Sequence, residues 1–238
     1  MLLLTPLCAV AQQVNTAPSV GRVASAVPGP RSEWLGSFSG IRVNGVMQVH
    51  IIKNAAEEGP RIKYDTKGEA SPKFRAAVDK NGILRIEEPA DAKRTTVTEV
   101  TVWCNDIASL SVTGADLTCE NLISCQMFDL EISGGANVKA TFDVQDLAVE
   151  ATGRSRAVID GSARYFRLNI STAKFDGSGL STVSSIVSAS HASEVQVSAS
   201  ERLEAETATS AMIIYDGNPA IIRTRTSLFG GEIVPLEK

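Results

Sequence analysis

Two consecutive stretches of the chain decide its fold: residues 130–140 (LEISGGANVKA) and residues 147–159 (LAVEATGRSRAVI). Each begins with two apolar residues two positions apart, continues through small or polar residues, and ends with a second such pair. Because side chains two positions apart in a strand share one face, each stretch predicts a strand, a turn and a second strand. A unit this short cannot bury its own apolar face, whereas stacking on a neighbouring unit buries it.

The same arrangement repeats from residue 107 onward, with a step of about 17–21 residues. A period near 20 residues with short strands is typical of a parallel β-helix, whose core runs along the stack. An antiparallel sandwich, with hairpins every ~8 to 12 residues, is the competing interpretation. The first apolar pairs are Leu110/Val112, Leu130/Ile132, Leu147/Val149, Leu168/Ile170, Ile186/Ser188 and Leu203/Ala205, and the second sites are Leu117/Cys119, Val138/Ala140, Ala157/Ile159, Phe175, Val195/Val197 and Ile213/Tyr215.

Residues 34–106 predict a more irregular β segment, which joins the repeated coils of 107–238 in a single domain over 34–238. Apolar and polar residues alternate over residues 41–51, which predicts a half-buried strand pair or one long bent strand with His50 pointing outward. Three further strands are predicted at 61–64, 83–86 and 96–103. A tight turn is predicted at Asn81-Gly82 and a short helical turn over 71–78.

The N-terminus predicts an export signal. Residues 1–11 form an apolar run that ends in Ala9-Val10-Ala11, a small-x-small cleavage pattern, so Gln12 is the expected mature start. A lipoprotein reading at Cys8 is disfavoured because Leu7 precedes it where a small residue is needed. Residues 12–33 are rich in Ala, Val, Ser and Pro and predict a flexible leader. No segment supplies the ~20 apolar residues of a transmembrane helix.

Composition excludes several classes of protein. Hydrophobic residues make up 43% and charged residues 21%, which is typical of a globular chain, and aromatic residues make up only 5%. The 27 acidic and 23 basic residues give a net charge of -4, which excludes a polybasic nucleic-acid binder. With two histidines far apart, a common zinc site is not expected. We expect no cofactor, no metal and no catalytic residues.

Outward carboxylates are the main candidates for chemistry, because β-helix enzymes that cut polysaccharides gather carboxylates on one face. Glu131 and Glu150 are expected as diagonal neighbours on adjacent coils, and a solvated pair is the favoured interpretation. The corners Asp160-Gly161, Asp176-Gly177 and Asp216-Gly217 lack a dense calcium-ligand pattern, and His191 is expected as a surface residue. The candidate carboxylates are Asp116, Glu131, Glu150, Glu194, Glu204 and Glu206.

Three cysteines remain after signal cleavage, so at least one thiol stays unpaired within the monomer. Cys119 lies in an apolar pair and is expected to point inward as a small hydrophobe. Cys104 and Cys125 are 21 residues apart, one coil by the period, and are the candidate disulfide. Three reduced structural thiols are the alternative.

Four stretches resemble the putative autotransporter adhesin, head GIN domain family: residues 34–52 (WLGSFSGIRVNGVMQVHII), 197–203 (VSASERL), 212–219 (MIIYDGNP) and 230–235 (GGEIVP). The resemblance runs from Trp34 to the C-terminus, and its most specific element is Tyr-x-Gly-Asn-Pro. It implies an exported protein with a right-handed β-solenoid body and implies no catalytic residues. The corners at 171–173 (STA) and 189–191 (ASH) depart from the usual Ser- and Gly-rich pattern.

The expected function is that of a non-enzymatic, exported β-solenoid at the bacterial envelope, either in the periplasm or at the cell surface. The expected partner is an envelope protein or a surface glycan, with self-association as a further expectation. The alternatives are a carbohydrate-active β-helix enzyme, or a periplasmic scaffold or sensor that binds another envelope protein. The absence of a phosphate-binding loop, dinucleotide fingerprint or nucleophile elbow from the sequence favours the non-enzymatic reading.

Overall fold

The computed structural model describes residues 29–54, 58–67, 73–90, 94–227 and 229–236. Within these ranges the chain is all β and forms a solenoid of about 7 turns. The 19 strands of this part are β1 (Arg31–Trp34), β2 (Gly40–Gly45), β3 (Met47–Lys53), β4 (Arg61–Asp65), β5 (Arg75–Val78), β6 (Ile83–Glu88), β7 (Thr98–Cys104), β8 (Ser109–Thr113), β9 (Asp116–Cys119), β10 (Ile123–Ser133), β11 (Asn137–Thr152), β12 (Arg156–Ser171), β13 (Lys174–Asp176), β14 (Leu180–Ser190), β15 (Glu194–Ser198), β16 (Arg202–Thr207), β17 (Ala211–Asp216), β18 (Ile221–Thr226) and β19 (Gly231–Pro235).

Parallel pairing between successive coils builds three sheets around one core. Sheet A runs β6–β2–β8–β10–β11–β12–β14–β16–β18, and sheet B runs β7–β3–β9–β11–β12–β13–β15–β17–β19. Sheet C is shorter and uses the first residues of β10 and β14 with the middle of β11 and β12. The long strands β11 and β12 therefore take part in all three sheets. The parallel β-solenoid expected from the repeat is confirmed.

Register between coils sets which side chains stack in the core. In sheet A, Leu130 pairs with Val149 and Val149 with Leu168, so the step is 19 residues. The first apolar pairs of the repeat predict that Leu130, Leu147 and Leu168 stack in one column. This prediction is wrong for Leu147, because the step from Leu130 to Leu147 is only 17 residues. Leu147 instead pairs with Phe128 and Phe166 in the adjacent column, and it is buried there.

One predicted pair is out of register by a single residue. Val187 and Ala189 of β14 are buried, and they pair with Leu168 and Ile170 of the preceding coil. Ile186, which the repeat placed inside, is exposed on the outer surface of sheet A. Either frame of this stretch offers apolar residues, and the 19-residue step chooses between them, since a slip of one residue turns every side chain to the other face.

The N-terminal end of the solenoid does not follow chain order. β6 and β7 form the first coil of the stack, and β2 and β3, which precede them in the chain, lie between that coil and the one of β8 and β9. Antiparallel strands continue beyond the first coil, with β5 on β6, β4 on β7 and β1 on β4. These strands cover the end of the stack.

The strand pair predicted over residues 41–51 is present as β2 and β3, and the turn at Asn81-Gly82 joins the antiparallel strands β5 and β6. The helical turn predicted over 71–78 is wrong for 75–78, which form β5, while residues 71 and 72 lie outside the described residues. β5 forms because Ala76 and Val78 pack against the core from its inner side. The predicted signal over 1–11 and residues 12–28 of the leader also lie outside the described residues, and β1 starts at Arg31.

Corners between sheets A and B use left-handed backbone. Gly134 and Gly153 adopt φ values of 65°, and the equivalent corners of later coils use Thr172 at 56° and His191 at 53°. The corners that depart from the glycine-rich pattern therefore keep the same turn with side chains that disfavour it. Their backbone groups stay paired between coils, as in the hydrogen bond that the Thr172 amide donates to the Ser190 carbonyl.

The C-terminal end of the stack is open within the described residues. β18 pairs only with β16 and β19 only with β17. The side chain of Ile222, which follows the buried Leu203 in the stack, is 46% exposed because no further coil covers it. None of the described residues forms a helix that is long and apolar enough to cross a membrane.

Candidate functional site

The outer surface of sheet A carries a groove that small side chains create. The outward row that crosses the strands contains Ser109, Asp129, Ala148, Arg167 and Ile186, each paired in register with the next. Ala148 stands between a carboxylate and a guanidinium and reaches less far from the sheet than either. Because every strand of this row is paired on both sides, the floor of the groove is fixed by backbone hydrogen bonds.

Two adjoining cavities, of about 410 Å³ and 390 Å³, make up the groove. They share Asp129, Ala148 and Arg167, and we call the combined space the sheet A groove. The first cavity extends along the stack toward Arg42 and Ile83, and eight of its fourteen lining residues are polar or charged. The second lies toward the bend between sheets C and A and is more apolar.

Polar side chains of the first cavity are available to a ligand. Within the part of the chain that the structure describes, no side-chain hydrogen bond or ion pair engages Arg42, Asp129, Glu150, Arg167 or Asn169. All five are exposed. Acceptors and donors therefore stand together on one rigid surface.

Apolar side chains line the second cavity. Tyr165 is 44% exposed and Met127 is 64% exposed, and both lie in the row next to that of Ala148. Ile186 closes the cavity one coil further along. The guanidinium of Arg164 lies 5.5 Å from the centre of the Tyr165 ring, within the range of a cation–π contact. An aromatic ring with an exposed face beside polar groups is typical of a binding surface.

Glu131 and Glu150, predicted as diagonal neighbours, are direct neighbours in register, and both line the first cavity. The Ser111 hydroxyl donates a 2.9 Å hydrogen bond to Glu131. Three carboxylates thus share the first cavity, since Asp129 lines it as well, and Asp146 adds a fourth in the second cavity. They lie on one exposed sheet surface, whereas paired acid and base roles in catalysis need unlike environments.

The other candidate carboxylates lie outside the groove and have surface partners. Asp116 accepts a 2.6 Å hydrogen bond from Asn137, and Lys174 lies 2.7 Å from Glu194, both on sheet B. At the C-terminal end of sheet A, Glu204 lies between Arg202 and Arg223, which lower the pKa of its carboxyl. Glu206 lies 3.9 Å from Arg225. Exposed pairs of this kind contribute little stability.

The Asp-Gly corners have a backbone role. Gly161 and Gly217 adopt φ values of 107° and 102°, and a Cβ at Gly161 would lie only 1.9 Å from the Phe142 carbonyl oxygen. Among the described residues, no group of three or more His, Cys, Asp and Glu side chains could hold a metal ion. His50 points outward as expected and contacts Glu120 at 2.8 Å, and His191 lies at an exposed corner near Ser171.

All three described cysteines carry free thiols. Cys119 points inward as expected, and burial raises its pKa to about 12, while burial raises that of Cys104 to about 11. The 21-residue spacing of Cys104 and Cys125 suggested that these two residues lie one coil apart. In the structure, however, β3 lies between β7, which ends at Cys104, and β9, the next strand of sheet B. A Cys104–Cys125 disulfide in oxidised protein stays a prediction, which peptide mapping under non-reducing conditions tests.

Sequence reasoning found Glu131 and Glu150 but missed the rest of the groove. Asp129, Ala148 and Arg167 follow one another at steps of 19 residues, so the period contained the signal. The signal is weak, because Asp129, Ala148 and Arg167 share no side-chain type, whereas the inward positions are apolar in nearly every coil. Arg42 could not have been found in this way, because β2 joins the stack out of chain order.

Comparison with solved structures shows the same fold elsewhere. A crystal structure of a putative adhesin from Bacteroides fragilis superposes with a TM-score of 0.80 at 17% identity, covering 89% of this chain and 98% of that chain. A putative adhesin from Parabacteroides merdae gives 0.66 at 14% identity, covering 88% and 96%. A putative lipid binding protein from Parabacteroides distasonis also gives 0.66 at 14% identity, covering 88% and 97%. No curated protein matches the chain.

Family comparison agrees with the motifs. The family model described as "Putative auto-transporter adhesin, head GIN domain" matches residues 37–219, which include β2 through β17 and therefore the whole sheet A groove. The chain belongs to the auto-transporter adhesin head GIN domain family.

Proposed function

We propose that the protein is an exported, non-catalytic adhesin-like module of the bacterial envelope that holds its partner along the sheet A groove. One observation carries the proposal: five polar side chains that have no side-chain partner among the described residues surround a fixed depression on the solenoid surface. Family membership supports an adhesin-like role, and the signal-like N-terminus supports export. The strands under the groove are paired on both sides and are already ordered, so binding a partner there costs little conformational entropy.

Filling the groove tests the proposal. Ala148→Trp should block both cavities, because its ring would stand between Asp129 and Arg167. Val158→Trp is the matched control, since Val158 lies on the outer side of β12 in sheet B. The full chain and both variants are applied to intact bacterial envelopes and to epithelial cells, with far-UV circular dichroism as the check of folding. We expect about tenfold weaker binding for Ala148→Trp alone; equal binding by all three proteins would overturn the proposal.

A carbohydrate-active enzyme is the second candidate, favoured by the direct pairing of Glu131 with Glu150 in one cavity. Retaining glycosidases hold two carboxyl groups about 5 Å apart, a spacing that adjacent strands can provide. Its test is the release of reducing ends from polysaccharides, compared between the protein and Glu131→Gln. Release that disappears in the variant would establish the enzyme and overturn the non-catalytic reading.

A periplasmic scaffold or sensor remains the third candidate from the sequence. Co-purification of one stable envelope protein, lost in Ala148→Trp and kept in Val158→Trp, would favour this function over adhesion. Self-association is tested by light scattering of the purified chain.

A further inference from the structure

We propose that the occupant of the sheet A groove is an uncharged oligosaccharide chain that lies along the solenoid axis and stacks on Tyr165. This inference rests on the proposed function, and it names the ligand of the same site. Shape, hydrogen-bonding groups, apolar surface and charge support it separately.

The shape of the groove fits a linear ligand. The residues that line it belong to β6, β2, β8, β10, β11, β12 and β14, which are consecutive strands of sheet A. Six strand spacings correspond to about 29 Å. A chain of several sugar units can follow such a groove across the strands, whereas a globular partner would need a broader contact surface.

The hydrogen-bonding groups fit hydroxyl groups. Asp129 and Glu150 accept hydrogen bonds, Arg42 and Arg167 donate them, and Asn169 does both. A sugar hydroxyl can likewise donate and accept at once. An extended peptide would instead pair its backbone with a free sheet edge, and the strands of the groove have no free edge because each is paired on both sides.

The apolar surface fits the face of a sugar ring. Tyr165 presents an exposed ring to the second cavity, which Ile186 and Met127 also line, with Asp146 between Met127 and Tyr165 in the row. The polar first cavity adjoins it at Asp129 and Arg167. A sugar, which combines apolar C–H faces with equatorial hydroxyl groups, can use both surfaces together.

The charge of the groove selects against acidic ligands. Four carboxylates line it, those of Asp129, Glu131, Asp146 and Glu150, together with the guanidinium groups of Arg42 and Arg167, and the guanidinium of Arg164 lies beside the Tyr165 ring. A uronate or sulfate group would therefore meet like charge along most of the groove, and such contacts exclude wrong partners. An uncharged glycan avoids this repulsion.

Binding to defined polysaccharides tests the inference. The full chain is applied to immobilised dextran, mannan and arabinogalactan, and to the anionic polygalacturonate and heparin. We expect binding to at least one uncharged polysaccharide and to neither anionic one. Tyr165→Ala should weaken that binding about tenfold, whereas Trp34→Ala, which removes an exposed aromatic ring from β1, should not change it. Binding to no uncharged polysaccharide, or tighter binding to an anionic one, would overturn the inference.

Two further arms separate this inference from the proposed function. Periodate oxidation of the envelope or cell surface should abolish binding, and protease treatment of that surface should preserve it. Adhesion that depends on Ala148 but survives periodate and is lost with protease would leave the proposed function standing and overturn the glycan inference. Glu150→Lys should make binding of polygalacturonate detectable, because it replaces a carboxylate of the groove by a cation, and absence of any such binding would overturn the inferred selection against acidic ligands.

Discussion

Thr172 occupies a corner whose backbone conformation is unfavourable for a residue with a side chain. Its φ of 56° lies in the left-handed region, which costs a non-glycine residue about 1–2 kcal/mol. Thr172→Gly should raise the free energy of unfolding by about 0.5–1 kcal/mol, because relief of strain exceeds the added entropy of the unfolded chain. Urea denaturation measures it. Thr118→Gly, in the interior of β9, is the control and should lower stability by a similar amount; a loss of stability at both positions would contradict the prediction.

The buried thiol of Cys119 makes the free energy of unfolding fall as the pH rises in the alkaline range. Burial raises its pKa to about 12, above the ~8.5 of an unfolded thiol, so the folded state keeps a proton that the unfolded state loses. The stability that the protonated Cys119 thiol contributes to the folded state is fully present below about pH 8.5 and is lost as the pH rises toward 12. Cys119→Ala should therefore show a shallower fall in stability between pH 9 and 11. Urea denaturation under reducing conditions measures the slopes, and equal slopes would contradict the assignment.

The core columns make each long strand sensitive to a buried charge. Leu147 of β11 is 1% exposed between Phe128 and Phe166, so Leu147→Asp places an unpaired carboxylate in the core. We expect a loss of several kcal/mol, enough to prevent folding. Gln145→Asp is the control, because Gln145 is exposed in the same strand. Soluble expression and thermal denaturation compare the two, and a folded Leu147→Asp variant of unchanged stability would refute this register.

The end strands β6 and β7 are joined by a buried ionic contact. Glu88 is 4% exposed and receives the guanidinium of Arg94 and a 2.6 Å hydrogen bond from the Thr98 hydroxyl. Arg94→Met should cost about 3–5 kcal/mol, because it leaves a buried carboxylate without its cation. Arg85→Met, which breaks the more exposed pair with Asp79, is the control and should cost at most about 1 kcal/mol. Adding Glu88→Gln to Arg94→Met should recover part of the loss, and no recovery would contradict the explanation.

Over the described residues, the stack is covered at its N-terminal end and open at its C-terminal end, and we expect the local stability of the coils to differ accordingly. The described N-terminal coil is covered by β4 and β5, whereas β18 and β19 each pair on one edge only. Because the last coil has half the neighbours, its amides should exchange with deuterium at least about 100-fold faster than those of β11 and β12. Exchange followed by mass spectrometry or NMR measures this. Equal protection would mean that another chain or segment covers the open end.

How much of the molecule could be predicted depends on whether a feature repeats. Inward positions such as Leu130 and Leu168 followed from the period, since alternation along a strand forces apolar residues to one face. Ile186 was misplaced because its neighbours are apolar in both frames, and only pairing with the preceding coil resolves the frame. Glu131 and Glu150 were predicted as diagonal neighbours, and their direct pairing on adjacent strands depends on the same register.

The amino-acid pattern determined the parallel coils, the inward burial of Cys119 and the outward position of His50, because each follows from a strand period of two combined with a constant step. The tertiary structure decided where β2 and β3 enter the stack, and with them the place of Arg42 beside the carboxylates of the sheet A groove. That insertion pairs strands far apart in the chain, and no local pattern specifies which distant strand becomes a neighbour. The groove therefore exists only after the coils have stacked, because its lining comes from seven strands and its depth from one alanine between two longer side chains.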